Sequence, residues 1–361
     1  MGLIGFLVIA ASADARAPKG IPTIARANVN GSGVDRSFIR LGGPTCGVAV
    51  DGSHIYWTDS NHDAIGRANL DGSAADPTFI SGVLPYNCGL AVDGAHIYWS
   101  NRATEQSGQS PLISRANLDG SGVEPSFISA PPDSIGLAVG SSFIYWGQEG
   151  AGLVRASLSG SSPTVIGSTA GGSMAVDSSH VYWEQIPNTL NGAPFSGIAV
   201  GRASLDGSAP NNSLITVPGA EGNVIPGTGG LALDSSHVYW DDPLTQAIGR
   251  ANLDGSGVNP AFISGLGGFS VVVGGPPVGP FGLAVDASHI YWADSVHGCL
   301  VPNLKGKRLK RAKKILKKGN CRLGTVKPKD QKTGKVVKQR PKVGTVLPLG
   351  GKVNIKLGRK H

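Results

Sequence analysis

Apolar residues in this chain come in short runs rather than in long helical stripes. One unit reads Gly47-Val48-Ala49-Val50-Asp51, then His54-Ile55-Tyr56-Trp57, then Ile65-Gly66-Arg67-Ala68-Asn69-Leu70, then Phe79-Ile80. A nearly continuous apolar run predicts a strand buried on both faces. The links Asp51-Gly52 and Asp71-Gly72 predict tight turns, because Asp-Gly supplies the positive φ that hairpins require. Each unit is therefore predicted to be four short strands joined in sequence.

The unit repeats. Tyr-Trp occurs six times, at Tyr56-Trp57, Tyr98-Trp99, Tyr145-Trp146, Tyr182-Trp183, Tyr239-Trp240 and Tyr291-Trp292, and uses every Trp in the chain. Arg-Ala-Asn/Ser also occurs six times, at Arg26, Arg67, Arg115, Arg155, Arg202 and Arg250. Four-stranded units of roughly 40–50 residues predict a β-propeller. The first Arg-Ala-Asn has no Tyr-Trp before it, and the last Tyr-Trp has no Arg-Ala-Asn after it. These orphans complement each other, so residues 21–40 should complete the blade begun by 281–294. The expected fold is all-β: a six-bladed propeller whose N-terminal strands close the last blade and leave no free sheet edge.

The pattern changes near residue 298. Leu309, Ala312, Ile315 and Leu316 recur at helical spacing, and Gly319-Asn320 should end that helix. Strands are expected at Arg322–Pro328, Val336–Arg340 and Val353–Leu357. Charge splits at the same place: residues 299–361 hold 21 Lys+Arg against one acid, whereas residues 1–298 hold 11 against 23. A tail of +20 on a body of −12 argues for two units with different partners, or for a tail that docks on the body. At the other end, Leu3–Ala11 is apolar and Ala-Ser-Ala and Ala-Asp-Ala follow, a secretory-signal pattern without a basic start. The expected division is a leader over 1–17, a propeller over 18–297 and a small α+β domain over 298–361. No run of 18 apolar residues exists to span a membrane.

Candidate chemistry is sparse. The turns linking first to second and third to fourth strands are short and alike. Length variation falls on the opposite rim, in Asn101–Pro111, Glu184–Ser196, Val217–Gly229 and Gly265–Pro280, where a ligand or partner is expected. His54, His96, His180, His237 and His289 share one slot before Tyr and read as structural. His62 and His297 share another slot and, with Asp242, are weak catalytic candidates. Asp241-Asp242 makes a poor metal pair, since strand alternation points neighbours apart. No metal site or cofactor is implied. Cys299 and Cys321 bracket the helix and are expected to pair, which suits an oxidising compartment. Cys46 and Cys88 occupy equivalent places in adjacent blades and either pair or stay as buried thiols.

At these residues the chain resembles the YWTD repeats of low-density-lipoprotein receptor class B. Thr58-Asp59 completes the motif, and Ile65-Gly66-Arg67-Ala68-Asn69-Leu70-Asp71-Gly72-Ser73 matches its second half. The resemblance covers about 20–297 and implies a six-bladed propeller in which the motif Asp helps tie neighbouring blades. Gly147-Gln148 and Glu184-Gln185 depart from that pair. The tail resembles a PASTA domain at Val301-Pro302, Gly306, Leu309, Ala312, Leu316, Gly324, Val336–Pro341, Gly344-Thr345, Gly350 and Val353-Asn354-Ile355. That resemblance implies binding of bacterial peptidoglycan outside the membrane.

Lys305, Lys307, Arg308, Lys310, Arg311, Lys313, Lys314, Lys317 and Lys318 add a density of charge suited to an anionic polymer, and are the expected ligand-binding residues. Nucleic acid is the weakest partner class, because the tail has no aromatic residue to stack bases. The expected function is an exported, non-catalytic binding or scaffold protein. The alternative, by analogy of fold alone, is a propeller enzyme of lyase or lactonase type.

Overall fold

A computed structural model describes residues 20–59, 61–83, 85–101, 112–129, 134–148, 152–167, 172–185, 189–190, 193–194, 197–218, 230–242, 245–266, 282–296, 298–328, 334–347 and 350–358. The expected leader lies outside these residues.

Six four-stranded antiparallel sheets form the blades. Blade one comprises Val48–Val50, His54–Asp59, Ala64–Asn69 and Asp76–Ser81. The innermost strand of each blade contacts those of both neighbours, and the sixth contacts the first, which closes the ring. Blade six takes its inner strands, Leu283–Val285 and His289–Val296, from the end of the repeats. Its outer strands, Ile21–Asn28 and Asp35–Arg40, come from the beginning. The ladder pairs Ile24 with Ala293 and Ala25 with Trp292, the closure that the orphan motifs imply. Asp294, buried at 3% side-chain exposure, accepts Arg36 Nε at 2.7 Å and Nη2 at 2.8 Å across this junction.

Tyr-Trp forms the core because adjacent strand residues point to opposite faces. The Trp of one blade packs against the Tyr of the blade before it: Trp57 with Tyr291, Trp99 with Tyr56, Trp146 with Tyr98. The other three junctions repeat the arrangement. All twelve rings are essentially excluded from solvent.

The two turn types work differently from one another. In the turn between third and fourth strands, Gly72 adopts φ +80° and its five equivalents lie between +77° and +86°, as Asp-Gly predicts. The first turn differs from expectation. Gly52 is not left-handed, and Ser or Ala replaces it in blades three to six. The side chain of Asp51 shapes that turn, accepting the Ser53 and His54 N–H groups at 2.6 Å and the Tyr56 hydroxyl at 2.8 Å. Asp93, Asp177, Asp234 and Asp286 do the same for their tyrosines. Burial, then the adjacent carboxylate, holds the Tyr56 phenol above its ordinary pKa.

The tail packs the helix Leu309–Lys318 on a three-stranded sheet of Arg322–Lys327, Lys352–Leu357 and Val336–Arg340. Ala312 and Leu316 face a core with Val336, Val353, Ile355 and Leu357. Gly319 has φ −92°, and Asn320 instead takes the left-handed turn at φ +55° that ends the helix. Where the tail meets blade six, Arg40 Nη2 donates to Lys318 O at 2.9 Å and Ser37 Oγ to Gly344 O at 3.1 Å, while Ile21 packs on Leu300. The strands that close the ring therefore also seat the tail.

Candidate functional site

Two regions carry charge beyond what the fold needs. The first lies at the ends of the blades' second strands. There the residue after Trp reaches back to the start of the innermost strand. Thr58 Oγ1 accepts the Gly47 N–H at 3.0 Å, and Asp241 Oδ1 accepts the Gly230 N–H at 2.7 Å. Glu184 takes this position in blade four and is 3% exposed, as is Asp241 in blade five. Burial pushes the Asp241 carboxyl well above the usual carboxylate range, and the charges of Glu184 and Asp242 push the same way. Sequence reasoning selected Asp242 and passed over Glu184. The departure Glu184-Gln185 from the motif was the available signal.

The other expected residues here are held locally. The Asp242 carboxylate accepts the Thr245 hydroxyl at 2.6 Å and its N–H at 3.2 Å. His62 Nδ1 lies 2.8 Å from Asp59 Oδ2, so this motif Asp organises its own turn. The repeated Arg ties one blade to the next. Arg67 Nη1 donates to Leu118 O of the next blade at 3.0 Å while its guanidinium lies 3.8 Å over Phe79. Arg26, Arg115, Arg155 and Arg202 bond the next blade in the same way. His54, His96, His180, His237 and His289 stand beside their turn aspartates. Most of the four long loops, and His297, lie outside the described residues. Among the described residues no three His, Cys, Asp or Glu side chains are grouped to hold a metal ion.

The second region is the tail. Cys299 and Cys321 are joined by a disulfide that fastens the leading segment to the end of the helix. Cys46 is also disulfide-bonded, and the side chain of Cys88 lies outside the described residues. Gln339 clamps the same leading segment, accepting the Leu304 N–H at 2.8 Å and donating to Pro302 O at 2.9 Å. On this base the helix presents Arg308, Lys310, Arg311, Lys314 and Lys318 around an open cleft of about 520 Å³. Lys305, Lys307, Lys313 and Lys317 complete the expected set on and just before the helix. The first turn has no acid. Cations there oppose the helix dipole, and like charges at i, i+4 repel. Lys317 and Lys318 suit the dipole in the last turn, but helix stability does not explain the cations before it.

Residues 300–359 match the PASTA domain family, and residues 53–85 match low-density lipoprotein receptor repeat class B. The solved structure of a protein assigned as TolB from Agrobacterium tumefaciens is similar at TM-score 0.54 and 12% identity, covering 77% of this chain and 99% of that one. A gluconolactonase from Xanthomonas campestris gives 0.50 at 12%, covering 78% and 98%. These identities establish the fold alone. No curated protein matches the chain. Fold and matches together describe a β-propeller of six four-stranded blades, with one stretch matching the YWTD-type class B repeat. Its C-terminal unit is a PASTA domain, an architecture that fits a binding or scaffold role.

Proposed function

We propose that this is an exported, non-catalytic binding protein that holds a ligand or partner on the propeller's long-loop rim. Its PASTA domain tethers it to peptidoglycan or an associated anionic wall polymer outside the membrane. In this reading residues 1–17 are a leader, 18–297 the propeller and 298–361 the tether. The cationic helix of a PASTA domain that otherwise needs no such charge carries the proposal. No helix among the described residues is long and apolar enough to cross a membrane. The test is co-sedimentation of the full chain with purified sacculi at low and about 1 M salt. Binding that weakens with salt and with Lys310→Gln/Arg311→Gln/Lys314→Gln supports the reading. An absence of binding at low salt refutes it.

A second reading is favoured by one observation, that Glu184 and Asp241 take the same position in adjacent blades and are each only 3% exposed. A protonated carboxyl there could serve as an acid for lyase or lactonase chemistry. Loss of a detected activity in Glu184→Gln, with folding intact, is its test.

A further inference from the structure

The helix covers one face of the PASTA sheet, and the other face is open. Along Lys352–Leu357 the burial alternates, with Lys352, Asn354 and Lys356 exposed and Val353, Ile355 and Leu357 buried. Register then places like charges side by side. Lys356 pairs with Lys327 on one side and with Lys338 on the other, so three lysines stand in one row across three strands. Two residues along, Asn354 pairs with Arg340, and two further, Lys352 pairs with Arg322. Lys327, Lys338, Arg340 and Lys356 line a cleft of about 420 Å³ together with Thr325 and Asn354. The described residues of the tail contain no Asp or Glu to offset them.

Like charges directly opposite on a sheet destabilise it. Neighbouring strands lie only about 4.8 Å apart, so a row of three lysines is a local cost that no acid among the described residues of the tail offsets. An anion seated on the row removes that cost. The rows recur about every 6.6 Å along the central strand, twice the rise per residue. A flexible chain with one negative charge per repeat of that order meets a cationic row at each repeat. Lysine dominates the face, and it binds phosphate as a compact point charge. The absence of aromatic residues in the tail removes any platform for bases. Asn354 accepts the Thr325 N–H at 2.7 Å through Oδ1, which turns its amide NH2 away from that bond and leaves it able to donate to an uncharged hydroxyl.

We infer that the open sheet face of the PASTA domain is a seat for a polyol–phosphodiester chain, with Lys327, Lys338 and Lys356 as its principal contacts. This rests on the wall-tethering reading above and adds to it the face and the ligand class. The helix is then a general electrostatic attractor and the sheet is the specific surface.

The experiment titrates the full chain with soluble poly(glycerol phosphate) and with poly-glutamate of similar length. Wild type is compared with Lys327→Gln/Lys338→Gln/Lys356→Gln and with Lys310→Gln/Arg311→Gln/Lys314→Gln. The sheet variant should lose at least tenfold in affinity for the phosphodiester chain, and its log–log salt slope should fall by roughly two, at about 0.7 per contact. The helix variant should also lose affinity, but at least threefold less than the sheet variant does, and poly-glutamate should bind at least tenfold more weakly than the phosphodiester. Equal losses in the two variants, or equal affinity for poly-glutamate, overturn the inference. Sacculi stripped of phosphodiester polymers keep the two proposals apart. If stripped sacculi bind wild type and sheet variant alike while the soluble chain does not bind, tethering stands and this inference fails. If neither sacculi nor soluble chain binds, tethering fails as well. Independently, Lys356→Gln should raise the melting temperature at low salt, with the gain vanishing at about 1 M. A fall at low salt would remove the premise.

Discussion

Replacing Arg36 by Ala tests how the ring is locked. Arg36 lies on the N-terminal outer strand of blade six, and its partner Asp294 lies 258 residues later on the second strand of that blade. Both bonds are short, and the Asp294 side chain is 3% exposed against 20% for Arg36. Removing the guanidinium takes the charge partner from a carboxylate that is only 3% exposed, a change that typically costs about 3–5 kcal/mol when a buried pair is broken from one side. Partial exposure of Arg36 puts the expectation at the lower end, about 3 kcal/mol. At about 2–4 °C per kcal/mol for a domain of this size, the melting temperature should drop by about 6–12 °C.

The Arg115–Glu124 pair is the internal control. It is as short, at 2.8 Å, but Glu124 is 50% exposed. Glu124→Gln should therefore cost no more than about 1 kcal/mol. Differential scanning calorimetry on both variants gives the comparison. The double variant Arg36→Leu/Asp294→Leu should recover much of the loss, because it leaves no buried charge. If Arg36→Ala shifts the transition no more than Glu124→Gln does, burial is not what makes this junction matter.

Three further outcomes follow from the same structure. Arg67→Ala removes the bond to Leu118 O and the stack on Phe79, and should cost about 2–3 kcal/mol by urea unfolding, with Arg67→Lys recovering little of it. Asp241→Asn keeps an oxygen for the Gly230 N–H and should stabilise the protein at neutral pH. Burial raises the Asp241 pKa, so the protonated form's stability is present below the ordinary value of 3.8 and is lost as pH rises through the higher folded value. The variant's advantage should thus appear only above about pH 4 in a series of thermal melts, and a pH-independent difference would refute it. Cys299→Ser/Cys321→Ser opens a link of sequence separation 22 and should destabilise the tail by about 3 kcal/mol. Hydrogen exchange should then rise in the helix Leu309–Lys318 and stay unchanged in blades two to five.

The repeats were legible because their information is local. Tyr and Trp point to opposite faces whatever surrounds them, so every copy of Tyr-Trp supplies one ring to each adjoining blade junction. The phase of the first Arg-Ala-Asn and the last Tyr-Trp sufficed to place Ile24 beside Ala293. The third-to-fourth turn was legible for the same reason, since a left-handed residue at Gly72 is a demand of the backbone itself. The first turn was misread because Asp-Gly pointed to the glycine, whereas the Asp51 side chain closes it.

The sequence alone determined the number of blades, the order of the strands, the closure and the charge imbalance between body and tail. Tertiary structure decided which charges meet. Nothing in the spacing of Arg36 and Asp294 announces their bond, nor does the motif reveal that Arg67 ties one blade to the next. Glu184 and Asp241 became buried acids of adjacent blades only when the blades were packed side by side, and Lys327, Lys338 and Lys356 became one row only through the register of three strands. Periodicity is a property of neighbours along the chain. Electrostatic and hydrogen-bond partnership depends on distances across it, and packing sets those.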